Sequence, residues 1–195
     1  MHYLFFDTET TGKDPSTARL VQLAYAGYDQ DGKETMSRNV IIKPEGFIIP
    51  IEATLIHGIS QHEALEKGQP LSTIIMDFFV RTTGARELVA HNVQYDFKVI
   101  VREMMRTHFN TNNLAQFVKM PFRCTMEEST NYCGLPGYYG KYKWPQLGEL
   151  HQILFGEKFE GAHNALNDVR ATAKCFFELQ RLGVMKAAKI GAEGQ

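Results

Sequence analysis

The run Tyr3-Leu4-Phe5-Phe6 constrains this chain most. Successive side chains of an extended segment point to opposite faces, so these four put bulky apolar groups on both faces at once. Such a strand must be buried on both sides, as a central strand is. The run then ends in Asp7, Thr8 and Glu9. Two further strand-like segments, "RLVQLAYAGYD" and "ETMSRNVIIKP", flank "QDGK", whose Asp31-Gly32 pair is a turn signal. The first three strands are therefore expected as antiparallel neighbours.

Helical patterns follow. Ser60 and Glu63 have the spacing of a capping box for one short helix. Leu71, Ile74, Ile75, Phe78 and Phe79 form a stripe closed by Gly84. "ELVAHN" reads as a short strand, with Asn92 placed to cap a helix whose stripe is Phe97, Ile100, Val101, Met104 and Met105. Residues 110–145 give only helical fragments and a tyrosine-rich loop, and "QLGELHQILFG" and "NALNDVRATAKCFFELQRL" are the last two helices. Strands come mostly first and helices later, enough to cover a sheet, so the class is α/β with a mixed sheet.

The length of 195 residues suits one domain with its own core. Residues 1–185 are expected to form it, and the small, polar end "MKAAKIGAEGQ" to fray, with 186–195 a flexible tail. At a net charge of -1, any nucleic-acid binding has to rest on local patches. Cys124, Cys133 and Cys175 are widely spaced without a C-x-x-C motif, which disfavours a disulfide framework or zinc cage and points to a reducing cytoplasm. No signal-peptide pattern and no apolar run of about 18 residues occurs, so neither a leader nor a membrane span is expected.

The candidate chemistry lies in the acids. Strand alternation turns Asp7 and Glu9 to one face, where carboxylates about 5 Å apart repel by about 3 kcal/mol at an effective dielectric of about 20. A divalent cation removes that penalty, and oxygen-only ligands suit a hard ion such as magnesium or manganese. Taken alone, the pair reads as a solvated strand end. Thr8, Thr10, Thr11 and Gly12 make the next loop small and rich in donors, suited to a phosphate or sugar. Asp96 lies four residues past Asn92 and reads by itself as a helix-start acid balancing the macrodipole. Asp168 stands one turn inside the last helix, on a face with Ala165 and Thr172, with His163 just before it; a helix-start acid beside an exposed histidine is the plain alternative.

In this order and spacing, "FDTETTG", "HNVQYD" and "HNALND" resemble the three motifs of the DEDDh family of 3′-to-5′ exonucleases, which includes the proofreading epsilon subunit of bacterial replicative polymerase, ribonuclease T and oligoribonuclease. The similarity runs from about Tyr3 to Leu182 and takes in "HGIS" at His57 to Ser60. It implies a ribonuclease-H-like fold with a five-stranded mixed sheet flanked by helices. It also implies two divalent cations, Mg or Mn, ligated by Asp7, Glu9, Asp96 and Asp168, with His163 as general base. Thr8, His57, Asn92 and Tyr95 are the implied substrate-binding positions, and Thr10 of the donor-rich loop is placed with them. The stretch from Phe122 to Trp144 departs from the epsilon pattern, so partner and substrate preferences do not carry over from that protein.

The mechanism implied is hydrolysis that removes nucleoside monophosphates from single-stranded 3′ ends, DNA before RNA. The pair of ions would stabilise the added negative charge, and an imidazole of ordinary pKa, about 6.5, would accept the proton of the attacking water. Two alternatives stand beside it: an exoribonuclease acting on short RNAs, and a polymerase-associated proofreading or accessory subunit. A non-catalytic binding module fits least, because it leaves the acids unused. Finally, "GYYGKYKWP", with Tyr138, Tyr139, Lys141, Tyr142, Lys143 and Trp144, has the composition of a single-strand stacking surface, or else of loop aromatics that fill core gaps.

Overall fold

A computed structural model describes residues 1–157, 159, 161 and 164–186. Its centre is a five-stranded sheet in the order β3-β2-β1-β4-β5, formed by β1 (Tyr3–Thr10), β2 (Leu20–Tyr28), β3 (Glu34–Ile41), β4 (Glu87–Ala90) and β5 (Phe122–Cys124). β1, β2 and β3 are antiparallel neighbours as expected, while β4 runs parallel to β1 and β5 parallel to β4. The mixed sheet therefore has β1 at its middle, with the carboxyl ends of β1, β4 and β5 along one edge.

The two faces of β1 are buried by different helices. Leu4 and Phe6 join Ile74, Ile75 and Phe78 of α3 (Leu71–Thr83) and Ile100 and Met104 of α4 (Val93–Arg106). Tyr3 and Phe5 face the other way, onto Val169, Phe176 and Leu179 of α8 (Ala165–Arg181). All four strand side chains are at most 3% exposed. The ring of Phe6 lies 5.5 Å from that of Phe78, and the ring of Phe5 lies 5.3 Å from that of Phe176. The apolar run is thus the seam between two cores.

Several local expectations change. Two short helices, α1 (Ile51–His57) and α2 (Gln61–Lys67), stand where one was anticipated, because Gly58 takes a left-handed φ of 80° and breaks the chain between them. Ser60 does cap α2, accepting from the Glu63 amide. Asn92 precedes α4 but gives it no side-chain cap. It adopts φ 69°, ψ 45°, a conformation asparagine tolerates, and so turns the chain sharply from β4 into the helix. The buried face of α4 is also rotated from the apolar stripe: Asp96, Val99 and Glu103 are buried while Met105 is 62% exposed. Glu103 is neutralised there by Arg19 at 2.9 Å and Arg106 at 3.0 Å, an arrangement hydrophobic periodicity does not count.

The unassigned stretch resolves into α5 (Thr111–Val118), β5 and α6 (Thr125–Cys133), and α7 (Leu147–Phe155) follows. At three residues, β5 is too short for alternation to register. Met185, assigned to the fraying end, is 1% exposed against the α8 core, and the Lys186 carbonyl accepts from Arg123 at 3.0 Å. The rest of the expected tail lies outside the described residues. Among the described residues, no helix is long and apolar enough to cross a membrane.

Because β1 carries both cores, Phe6→Ala should cost about 3–5 kcal/mol in urea unfolding. Leu55→Ala, at an 80% exposed position of α1, should stay within about 0.5 kcal/mol.

Candidate active site

Asp7 and Glu9 share a face of β1 at its carboxyl end, opposite Ala24 and Gln22 of β2. α8 lies across β1 and β2 with its first turn at this end. Asn164 caps it by accepting from the Asn167 amide, which fixes where Asp168 falls. One carboxylate oxygen each from Asp7, Glu9 and Asp168 lie within 4.8 Å of one another. The small residues on the Asp168 face, Ala165 and Thr172, are both buried, and this allows the helix to sit close on the sheet.

Asp96 approaches from the opposite layer and lies outside that tight group. It is 3% exposed, and its Oδ1 accepts both the Thr8 amide at 3.0 Å and the Thr8 hydroxyl at 2.6 Å. Thr8, expected beside a substrate, thus has its hydroxyl occupied in orienting an acid. Strand alternation turns Thr8 away from Asp7 and Glu9, which is why the strand end can be served from both layers.

These acids disfavour one another's charge. Burial pushes Asp7 well above the usual carboxylate range, and the charges of Asp96, Asp168 and Glu9 add to it. Glu9 is raised to about 8, first by burial and then by Asp168 and Asp96. Burial raises Asp96 to about 7, against the opposing pull of its hydrogen bonds from Thr8. Among the described residues, no lysine, arginine or histidine forms an ion pair with Asp7, Glu9 or Asp96. Glu103 shows the contrast, since its charge is matched twice over. A crowded set of all-oxygen donors fits hard divalent cations.

Two hollows meet at the acids, and Asn92 lines both. A pocket of about 570 Å³ opens beside Glu9, with Thr10, Gly12, His57 and Tyr95 on its walls. The Tyr95 hydroxyl donates to the Gly12 carbonyl and lies 2.5 Å from Thr10 Oγ1, tying down the loop after β1. His57 accepts the Ile59 amide on Nδ1 at 3.1 Å, so its neutral ring carries the proton on Nε2. That Nε2 is buried without a partner among the described residues, and burial holds the ring's pKa down. A groove of about 800 Å³ runs the other way, from Asp7 and Asp168 past Gln152 to Trp144.

One contributor had no sequence signal beyond its place in "HN". His91 bonds Thr125 Oγ1 at 2.9 Å through Nδ1 and the Pro145 carbonyl at 3.0 Å through Nε2, pinning the groove wall to the end of β4. Burial lowers its pKa to about 4, so it does this as a neutral ring. His163 lies outside the described residues.

Comparison with known proteins identifies the family. The profile of the exonuclease family, RNase_T, matches residues 4–176. An uncharacterized exonuclease, CP81, of Escherichia phage 186 is 30% identical over 97% of this chain and 89% of its own. The DNA polymerase III epsilon subunit of Aquifex aeolicus is 26% identical over 91% of this chain and 79% of its own. The fold matches E. coli exonuclease I, in a zinc-bound complex with single-stranded DNA, with a TM-score of 0.75 at 22% identity. That match covers 92% of this chain but only 40% of exonuclease I. By profile, by relatives and by the acids at the end of its central strand, the chain belongs to the exonuclease family, in the DEDDh group of 3′-to-5′ exonucleases.

Proposed function

We propose that residues 1–185 act as one metal-dependent exonuclease domain in the cytoplasm, releasing nucleoside monophosphates from single-stranded 3′ ends, DNA in preference to RNA. The observation that carries this reading is the convergence of one carboxylate oxygen each from Asp7, Glu9 and Asp168 within 4.8 Å at the end of the central strand. Preference for single-stranded DNA is supported by the complex formed by E. coli exonuclease I.

Two magnesium or manganese ions held by Asp7, Glu9, Asp96 and Asp168 would supply positive charge opposite the phosphodiester and make water easier to deprotonate. The chain's own residues do the rest. Thr8 keeps Asp96 aimed from the α4 side. The His57 Nε2–H is a ready donor for the terminal nucleotide in the pocket beside Glu9, with Thr10, Asn92 and Tyr95 shaping its walls. His163, just ahead of the α8 cap, accepts the proton of the attacking water. The relationship to the Aquifex epsilon subunit supports a second reading, attachment to a polymerase, which copurification would detect.

End-labelled DNA and RNA strands incubated with magnesium, manganese or chelator test the proposal directly. Stepwise shortening from the 3′ end is expected, faster on DNA and absent with chelator. Internal cuts, or undiminished cleavage by Asp7→Asn, contradict it. His163→Ala should lose about 10²–10⁴-fold in turnover, the usual share of a general base, while calorimetry shows metal binding retained. A matching loss of metal affinity would assign His163 elsewhere.

The crowded acids also predict a pH dependence. In the metal-free protein Glu9 titrates at about 8 instead of 4.5. Between those values the folded chain holds a proton that the unfolded chain has released, so this group's contribution to stability falls as pH rises toward 8. Cations need the deprotonated acids and remove their repulsion. Thermal melts should therefore show the gap between magnesium-loaded and chelated protein widening from about pH 5 to about pH 8. A gap that stays constant would mean the acids are not the ligands.

A further inference from the structure

The aromatic segment after α6 is not core filling. Tyr138, Tyr139, Tyr142 and Trp144 are 88%, 101%, 55% and 64% exposed. Backbone bonds from the Gly137 amide to Lys141 O and from the Lys143 amide to Leu135 O make it a small hairpin, bridged at Pro136 and Tyr142. A Cβ on Gly137 would lie 2.6 Å from the Lys141 carbonyl oxygen, so the two arms close only around glycine. Its tip is a two-residue turn with both central residues left-handed, Tyr139 at φ 57° and Gly140 at φ 73°. Such turns take asparagine, aspartate or glycine at the first central position. A fully exposed tyrosine there accepts backbone strain with no packing in return.

The hairpin is also joined to the catalytic end of the sheet. Its last residue, Trp144, lines the groove that begins at Asp7 and Asp168, and Pro145 is held by His91 at the end of β4. Exposed rings beside Lys141 and Lys143 match what unpaired bases and their phosphates need, flat stacking surfaces with cations along the backbone. Lys143 is braced by Glu149 at 2.5 Å, while among the described residues Lys141 has no ion pair.

We infer that this hairpin is the docking surface for the strand upstream of the cleaved nucleotide: the 3′-terminal residue lies in the pocket beside Glu9, and the preceding bases leave through the groove to stack on Trp144, Tyr139 and Tyr138. This rests on the exonuclease reading above and adds the path of the substrate. It makes grip on a strand depend on length, since a dinucleotide ends before the hairpin.

Trp144 is the chain's single tryptophan, so its emission reports the contact without relying on turnover. The full chain in magnesium is titrated with a cleavage-resistant phosphorothioate oligothymidylate of about twelve nucleotides, a usual length for single-strand grooves, and with the dinucleotide. The longer strand should quench Trp144 and the dinucleotide should not. The double variant Tyr138→Ala, Tyr139→Asn keeps a residue that tolerates the left-handed turn. It should lower the ratio of kcat/KM on the long strand to that on the dinucleotide by at least about tenfold, the loss of about one stacked base. Lys141→Ala should reduce the salt slope of long-strand binding by about one. Hydrolysis of both substrates with an unmoved Trp144 signal and an unchanged ratio overturns the inference alone, as rings that dock a protein would give. Failure of the wild-type chain to hydrolyse either unmodified strand overturns the exonuclease reading, and with it this path.

Discussion

The burial of β1 on both faces is the constraint from which the rest of the molecule follows. Leu4 and Phe6 require the α3 and α4 layer, and Tyr3 and Phe5 require α8. A sheet covered on one side alone would leave one of those pairs in water, at about 1.5–3 kcal/mol for each large side chain. Meeting that demand also brings α4 and α8 to the same end of the same strand from opposite layers. The acids near their starts, Asp96 and Asp168, reach Asp7 and Glu9 because the apolar seam beneath them is closed.

The site this creates works against the fold that builds it. Acids that raise one another's pKa give up stability which a scatter of solvated carboxylates would keep, and the core has to offset the loss. Two devices limit the damage. Thr8 donates twice to Asp96, holding the most buried of these acids in place. Elsewhere on α4, Glu103 is buried with both Arg19 and Arg106 beside it, so the same helix carries one acid with its charge matched and one, Asp96, with no ion pair among the described residues. The difference between those two carboxylates separates a structural acid from a candidate ligand more clearly than burial does.

How much of this could be read beforehand depends on the range over which each feature is encoded. The stripe of α3 was legible because all five of its apolar residues are buried. The stripe of α4 was misplaced because two of the buried positions are acids, whose partners come from distant segments. Asn92 was recognised as a helix boundary but not as a left-handed corner, since the residue type serves both purposes and only the path from β4 decides between them. β5 has three residues and no pattern to detect, and Met185 looked like the start of a tail because its burying surface on α8 belongs to the tertiary fold.

The sequence by itself determined the central strand, the antiparallel hairpins beside it and the order of the acidic motifs, because alternation and helical periodicity are properties of neighbouring residues. Tertiary structure alone decided that Thr8 meets Asp96 across 88 positions of chain, that His91 fastens Pro145, and that the tyrosines near Trp144 face outward instead of filling a core. Those outcomes depend on which surfaces remain after two cores have closed around β1, and no local pattern records that.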